Sequence, residues 1–402
     1  MESKIWTLRT HVIPASHMRG YRRGVRDETK HRLRLSVNQY TPNKIPDVGW
    51  TVIFVHGVGS TKESYEPFFA GLLKTGLPIR SIWAADLAWH GQSYVINEEI
   101  VGDEPHWDDA ARDILHMVNS FQDEMPPPLV AIGQSYGGYP IVQAALIHPR
   151  LFTALVALEP MLVGGSSDAF SFAGITTRAM ARRRDTWISR EEARKALLKN
   201  PYYAAFDPAV FEKVMKHDLR DVSSSSSAVV SGQTPVTLTT PKMMEVTSMM
   251  RIIPSTDDKR PCAKDPDDEG EGAAHILPGF YRTEPDIIQH RLGNVRPSVL
   301  YVFAENSTIP DHVGYQKWLI ERTGTGRGGS GGPAAGMVEG AWVKDSGHPM
   351  PLEKPKETAK AMTPWLNRQL ELWQHDLTED SKDTRFWTKE INPLWLFKLS
   401  KM

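Results

Sequence analysis

Pro128-Leu129-Val130-Ala131-Ile132-Gly133-Gln134-Ser135-Tyr136-Gly137-Gly138-Tyr139-Pro140-Ile141 is the stretch on which the reading of this chain turns. Its first five residues are apolar, short and bounded by a glycine, as in a buried strand. The residues from Gly138 to Ile147 are again mostly apolar and long enough for a buried helix. Between them stands G-x-S-x-G. A strand that reverses into a helix over so few residues leaves no room for side chains beside the turn, and Gly133 and Gly137 meet that need. The strained turn lifts the Ser135 hydroxyl above the sheet edge, where a base can reach it, so Ser135 reads as a nucleophile.

The flanking chain supplies the rest of such a site. Trp50-Thr51-Val52-Ile53-Phe54-Val55 is a nearly continuous apolar run, as expected of a central strand in a mostly parallel sheet covered on both faces. It ends in His56-Gly57-Val58-Gly59-Ser60. A backbone turn there aims an N–H at a developing oxyanion, and the residue after the nucleophile supplies a second, which nominates the amides of Val58 and Tyr136. His56 reads as a brace for this loop, and Asp86-Leu87-Ala88-Trp89-His90-Gly91-Gln92-Ser93, after the strand Ile79–Ala85, as architectural. Phe152 to Leu158 is another buried strand, with Glu159-Pro160 at its tip. Strands resume at Pro297 to Ala304 and at Met337 to Val343, and the second leads into Lys344-Asp345-Ser346-Gly347-His348. His348 comes last in the order nucleophile, acid, histidine, and is assigned as the base.

The acid has three candidates. The loop after Ala304 is the usual seat, but the common Gly-x-x-Asp spacing falls on Ser307, which carries no charge; Glu305 and Asp311 flank it. Glu159, one strand earlier, is the preferred reading. A triad needs only a carboxylate that accepts the imidazole N–H, whatever its place in the chain.

Composition narrows the function classes. The chain has 402 residues, 40% hydrophobic and 24% charged, with a formal net charge of −1, so no global field draws it to nucleic acid or an anionic surface. A single cysteine, Cys262, excludes an intrachain disulfide. The first residues lack a basic segment followed by an apolar core, and no secretory signal is expected. There is no H-E-x-x-H and no Cys/His ligand cluster, so no metal or cofactor is expected.

The expected architecture is α/β: residues 1–160 and 291–375 form one core, a mostly parallel central sheet with helices on both faces. Residues 161–290, where the strand rhythm stops, form an inserted, mainly helical cap. Residues 376–402 form a tail rich in Trp and Phe that ends in Ser400-Lys401-Met402, a conservative variant of the tripeptide that peroxisomal import receptors read. Further expectations are an edge strand at residues 31–40 and a helix from Trp107 to Phe121 with Asp108, Asp109, Arg112 and Asp113 on its solvated side. A final helix is expected from Lys354 to Trp373. Arg182-Arg183-Arg184 is read as a solvated helix face, with binding of an acyl carrier's phosphates as the alternative.

With these residues in place, the chain resembles the fungal peroxisomal α/β-hydrolases, a group that includes the mycophenolic-acid acyl-CoA hydrolase, the Alternaria toxin-biosynthesis hydrolases and, more distantly, the yeast peroxisomal lipase. The resemblance is carried by Phe54-Val55-His56-Gly57, Trp107 with Ala111-Arg112-Asp113, the Gly133-to-Gly138 stretch, Leu158-Glu159-Pro160, Gly347-His348 and the Ser-Lys-Met end. It implies an α/β-hydrolase fold and hydrolysis of acyl esters or thioesters in the peroxisome, often in secondary metabolism. It also implies a homodimer, and an acid after the strand that follows the nucleophile, with Glu159 standing where that relative has Asp. A Ser nucleophile argues against epoxide hydrolase or dehalogenase chemistry. The remaining choices are an acyl-CoA thioesterase, a carboxylesterase or lipase, and a non-catalytic ligand-binding protein on the same frame.

Overall fold

The computed structural model describes residues 5–162, 168–222, 234–252, 275–277, 280–309, 312–382 and 390–402. Among these residues the main sheet has eight strands: β1 (Trp6–Pro14), β2 (Arg34–Pro42), β3 (Trp50–Val55), β4 (Ile79–Ala85), β5 (Leu129–Gln134), β6 (Ala154–Leu158), β7 (Ser298–Ala304) and β8 (Val338–Val343). Their spatial order is β1-β2-β4-β3-β5-β6-β7-β8. β1, β2 and β4 pair antiparallel; β3 pairs parallel with β4 and β5, and every later neighbour is parallel. This is the mixed, mostly parallel α/β sheet that the apolar runs implied.

The strands are apolar on both sides because both sides are covered. In β3, Ile53 and Val55 join one buried cluster, and Trp50, Val52 and Phe54 join the other. β5 divides the same way, with Ala131 on one face and Val130 and Ile132 on the opposite one. Each of the buried Val, Ile and Phe side chains contributes about 1.5–3 kcal/mol by leaving water. Helices α1 (Glu66–Lys74) and α5 (Pro355–Ser381) cover one face through Phe68, Phe69, Leu72, Met362 and Leu366. Helices α2 (Trp107–Ser120) and α3 (Gly138–Ile147) cover the other through Trp107, Ala111, Ile114, Ile141 and Val142.

Several expectations change. Residues 34–42 are the second strand of the sheet, not its edge, because Trp6–Pro14 pairs antiparallel outside them. Asp109 and Asp113 on α2 are buried instead of solvated. Arg19 reaches over from the N-terminal segment, its Nε 3.1 Å from Asp109 and its Nη1 2.8 Å from Asp113. α5 runs past Trp373 to Ser381 and continues through Pro364. Arg183 turns inward onto Glu245 and the Tyr203 hydroxyl, while Arg184 pairs at the surface with Glu192. A solvated face therefore describes Arg184 and not Arg183.

Between β6 and β7 the described chain is partly helical and partly strand. One small sheet joins Thr186–Trp187, Val236–Leu238 and Leu219–Asp221; another joins Arg251–Ile252, Phe280–Tyr281 and His275–Leu277. Two- and three-residue strands are too short for alternation to register in the sequence. Pro241 stands just before α4 (Lys242–Met249), so residues 236–250 divide into a strand and a helix. At the far end α6 (Pro393–Leu399) has no buried residue, and Trp395 is 66% exposed.

Candidate active site

The C-terminal ends of β3, β5, β6 and β8 deliver the site, which is where parallel α/β sheets collect their reactive loops. β5 lies between β3 and β6, so the loops after those strands flank the one that carries Ser135. Ser135 opens a short 3-10 helix, Ser135–Gly137, that passes directly into α3. Its φ is +53°, in the left-handed region that a β-carbon disfavours. The turn closes so tightly that a Cβ on Gly133 would stand 2.1 Å from the Gly137 carbonyl oxygen. Among the described residues four non-glycines have positive φ: Met18, Ser135, Glu159 and Asp345. Three of them sit on the loops of this site, each at a cost of about 1–3 kcal/mol that the surrounding fold offsets.

Ser135, His348 and Glu159, separated in sequence, meet here. The His348 Nε2 lies 2.9 Å from the Ser135 Oγ, and its Nδ1 lies 3.4 Å from the Glu159 Oε2. The His348 side chain is 15% exposed and Glu159 only 2%. Glu159 is held at its amide and at both carboxylate oxygens. Its amide donates to the Val302 carbonyl (2.9 Å), its Oε1 accepts from the Ala304 amide (3.0 Å), and its Oε2 accepts from the Ser307 hydroxyl (2.6 Å). The Met161 amide donates to the Ser135 carbonyl (3.1 Å), which ties the acid's segment to the nucleophile's turn.

Of the alternative acids, Glu305 is turned away, its Oε2 accepting from the Asp345 amide at 2.9 Å. Asp311 lies outside the described residues.

The loop after β3 carries a row of amides. Gly57 N–H donates to the Tyr65 hydroxyl (3.2 Å), Gly59 N–H to the His90 Nε2 (3.2 Å) and Ser60 N–H to the Gly57 carbonyl (3.4 Å). The Val58 amide has no partner among the described residues. Tyr136 N–H stands in the first turn of a helix, where amides lack an intrahelical acceptor. Its side chain is fully buried and packs edge-on against Trp107 at 4.7 Å.

His56 takes the bracing part read for it. Its Nδ1–H donates to the Gly57 carbonyl (2.8 Å) and its Nε2 accepts from the Leu87 amide (3.1 Å), so both ring nitrogens are committed in the neutral form. Burial holds its pKa below the ordinary histidine value, and burial holds that of His90 well below it. Asp86 is fully buried and binds the Lys62 Nζ at 2.6 Å and the Gln92 amide at 2.9 Å. The loop from Asp86 to Ser93 therefore serves as scaffolding under the amide row.

Sequence reasoning missed the side chain of Gln134. Its Oε1 accepts from the Tyr65 hydroxyl (3.0 Å), and its Nε2 donates to the His348 carbonyl (3.4 Å). Because Tyr65 in turn receives the Gly57 amide, one buried carboxamide links the loops after β3, β5 and β8. It also explains Gly57: a Cβ there would stand 2.2 Å from the Gln134 Oε1. Glu245, on α4, was also missed. It is buried against Gly59, and burial pushes its carboxyl up to about 7. One turn further along α4, Met249 packs with Met250, and Val58, Met161, Met180 and Phe280 pack against the pair. Apolar surface thus faces both the amide row and the segment after Glu159.

A family model described as the alpha/beta hydrolase family matches residues 52–361. The chain is 33% identical over 430 residues to a type I acyl-CoA thioesterase, mpaH, of Penicillium brevicompactum, an alignment covering 98% of this chain and 97% of that protein. It is 27% identical to an abhydrolase domain-containing protein, ACTT2-2, of Alternaria alternata, over 64% of this chain and 90% of that protein. Among solved structures, the peroxisomal alpha-beta-hydrolase Lpx1 of Saccharomyces cerevisiae superposes with a TM-score of 0.68 at 14% identity, covering 99% of this chain and 97% of that one. At that identity the likeness speaks for the fold alone.

Proposed function

The chain belongs to the alpha/beta hydrolase family, and from that premise we propose that it is a serine acyl hydrolase of the acyl-CoA thioesterase type. In this reading Ser135 attacks the acyl carbonyl while His348 Nε2 accepts the hydroxyl proton. Glu159 accepts the Nδ1–H and stabilises the imidazolium. The Val58 and Tyr136 amides bind the oxyanion, a contribution of about 3 kcal/mol per donor. Collapse of the tetrahedral intermediate expels the thiolate or alkoxide, which takes the proton back from His348. Water, deprotonated by the same imidazole, then cleaves the Ser135 acyl ester and releases the acid.

The observation that carries the reading is the 2.9 Å contact between Ser135 Oγ and His348 Nε2, with the other ring nitrogen facing a buried carboxylate. The thioester preference leans on the Penicillium relative, whose name describes an acyl-CoA thioesterase. The methionine-lined surface beside Val58 supports an apolar acyl group, since thioethers adapt to irregular shapes. In the same reading residues 161–290 act as a cap over the acyl site, and the reaction belongs to fungal secondary metabolism. A panel of acyl-CoAs and p-nitrophenyl esters tests it. Faster turnover of the acyl-CoAs, lost in Ser135→Ala, is expected. A panel turned over only on p-nitrophenyl esters would make the protein a carboxylesterase.

The reading extends to location and partners. Ser400-Lys401-Met402 is proposed as the sequence an import receptor reads in directing the chain to the peroxisome, and its full exposure supports this. A fluorescent fusion that stays in peroxisomes after those three residues are deleted would sink it. The exposed apolar residues of α6 support a homodimer contact. A monomer by sedimentation at micromolar concentration would refute that contact.

A further inference from the structure

We propose that His90 is a positioning residue for the oxyanion site: as a neutral acceptor it holds the Gly59 amide and thereby aims the Val58 amide. This rests on the reading of Ser135 as nucleophile and of Val58 as an oxyanion donor. A trans peptide keeps its C=O and N–H in one plane, pointing opposite ways. The plane that carries the Val58 N–H also carries the Gly57 carbonyl, which accepts from the His56 Nδ1–H at 2.8 Å and from the Ser60 amide at 3.4 Å. With that carbonyl engaged, the Val58 N–H faces the other way.

The next plane carries the Gly59 N–H and meets the first at the Val58 Cα. On its far side stands Gly59 itself, at φ +81°, where the absent side chain leaves the backbone free to swing. The restraint comes from outside the loop, through the His90 Nε2 at 3.2 Å. His90 is reached because β3 and β4 run parallel and adjacent, so the loops after them open side by side. The two loops exchange histidines. His56 of the first accepts from the Leu87 amide of the second at 3.1 Å, and His90 of the second accepts from the Gly59 amide of the first. Their ring centroids are 5.4 Å apart.

Each exchange needs an unprotonated Nε2, hence a neutral ring with its proton on Nδ1. For His56 that proton goes to the Gly57 carbonyl. The His90 Nδ1 is buried and has no partner among the described residues. A buried donor left unmatched is unfavourable, and a side chain kept for packing alone would be apolar. What the imidazole supplies in return is the acceptor at Nε2, and its one recipient is the amide that follows Val58.

The experiment measures kcat and KM on one acyl thioester for wild type, His90→Gln, His90→Asn and His90→Leu, with thermal melts to establish folding. It also measures inhibition by a trifluoromethyl ketone that bears the same acyl chain. In the ketone adduct the Ser135 Oγ bonds to the carbonyl carbon, the carbonyl electron pair moves to its oxygen, and the hydroxyl proton passes to His348. Its affinity therefore reads the oxyanion donors, whereas the matching carbinol, which cannot form the bond, reads the acyl contacts. His90→Gln puts an oxygen near the place of Nε2 and is expected to stay within about 5-fold of wild type. His90→Asn stops short of that place and His90→Leu has no acceptor. Both are expected to lower kcat roughly 10–100-fold at unchanged KM, less than the loss of a whole donor. Ketone affinity is expected to fall by the same factor and carbinol affinity to stay unchanged. A folded His90→Leu with wild-type kcat overturns the role, as does a slower one with unchanged ketone affinity. If His90→Leu fails to fold, His90→Asn against His90→Gln decides, and equal kcat in those two overturns the role. A wild type that neither binds the ketone nor takes a fluorophosphonate at Ser135 fails the underlying reading instead, and the role of His90 falls with it.

Discussion

At the scale of single residues, the site is built from groups whose polar atoms are committed before any substrate arrives. Glu159 is bonded at its amide and both carboxylate oxygens, and Gln134 at both ends of its carboxamide. Such prior commitment removes the need to reorganise during reaction, which is where much of catalysis by preorganised dipoles originates. Tyr65 tests the Gln134 link without touching the proposed reacting atoms. Tyr65→Phe removes the hydroxyl that accepts from Gly57 and donates to Gln134, leaving two buried polar groups unmatched at about 1–3 kcal/mol each. The expected result is a melting midpoint lowered by a few degrees together with a roughly 10-fold lower kcat, because the amide row and His348 both lose their common anchor. A lower midpoint with unchanged kcat would make Tyr65 structural only. Ser135 and His348 were legible in the sequence because glycine spacing and chain order mark them, and Glu159 because a carboxylate at a strand tip is conspicuous. Gln134, Tyr65 and Ser307 were not, since each acts through a partner in another loop. Ser307 had been noted only as the place where an acid was missing.

At the scale of elements, the chain between β6 and β7 is fastened to the loop beside the site. Asp218 closes the turn Val214–Asp218, and its Oδ1 accepts from Thr61 at 2.6 Å and from Ser64 at 2.9 Å. Burial pushes this carboxyl up to about 7, and burial does the same to Glu245 on α4. A carboxyl whose folded value lies above its unfolded one binds its proton more tightly when folded. The stability it lends is therefore complete below about pH 4 and lost as pH rises through about 7. Asp218→Asn keeps the acceptor oxygen and removes the charge. It is expected to raise the melting midpoint at pH 8 by about 2–4 °C and to flatten, without abolishing, its fall between pH 5 and pH 8, since Glu245 acts with the same sign. A wild-type midpoint that instead rises steadily from pH 5 to pH 8, with the Asn variant parallel to it, would contradict the assignment. The main strands were legible because both faces of the sheet are buried, which makes each a solid apolar run. The first strand was not. Trp6–Pro14 forms the edge of the sheet and is mostly exposed, so it carries little of the pattern that marks a strand.

At the scale of the whole molecule, strand order produces the site. Residues 55 to 60, 135 to 137, 159 and 348 are scattered along the chain, yet β3, β5 and β6 are adjacent, and the loop after β8 crosses back over β7 to reach them. The parallel class of the sheet could be inferred from the solid apolar runs of its strands; the strand order could not. The long-range pairs that fasten it, such as Arg19 with Asp109 and Asp113, could not, because nothing local distinguishes a buried charge from a solvated one. The central claim is that this convergence generates a covalent acyl-enzyme at one side chain. Intact-mass and peptide mass spectrometry, after brief mixing with an acyl-CoA and acid quench, tests that claim most directly. The account predicts an acyl adduct on the peptide that contains Ser135, absent from Ser135→Ala and forming far more slowly in His348→Ala, which lacks the base for the attack. Thioester hydrolysis by Ser135→Ala at the wild-type rate, with no adduct on that peptide in either protein, would contradict it.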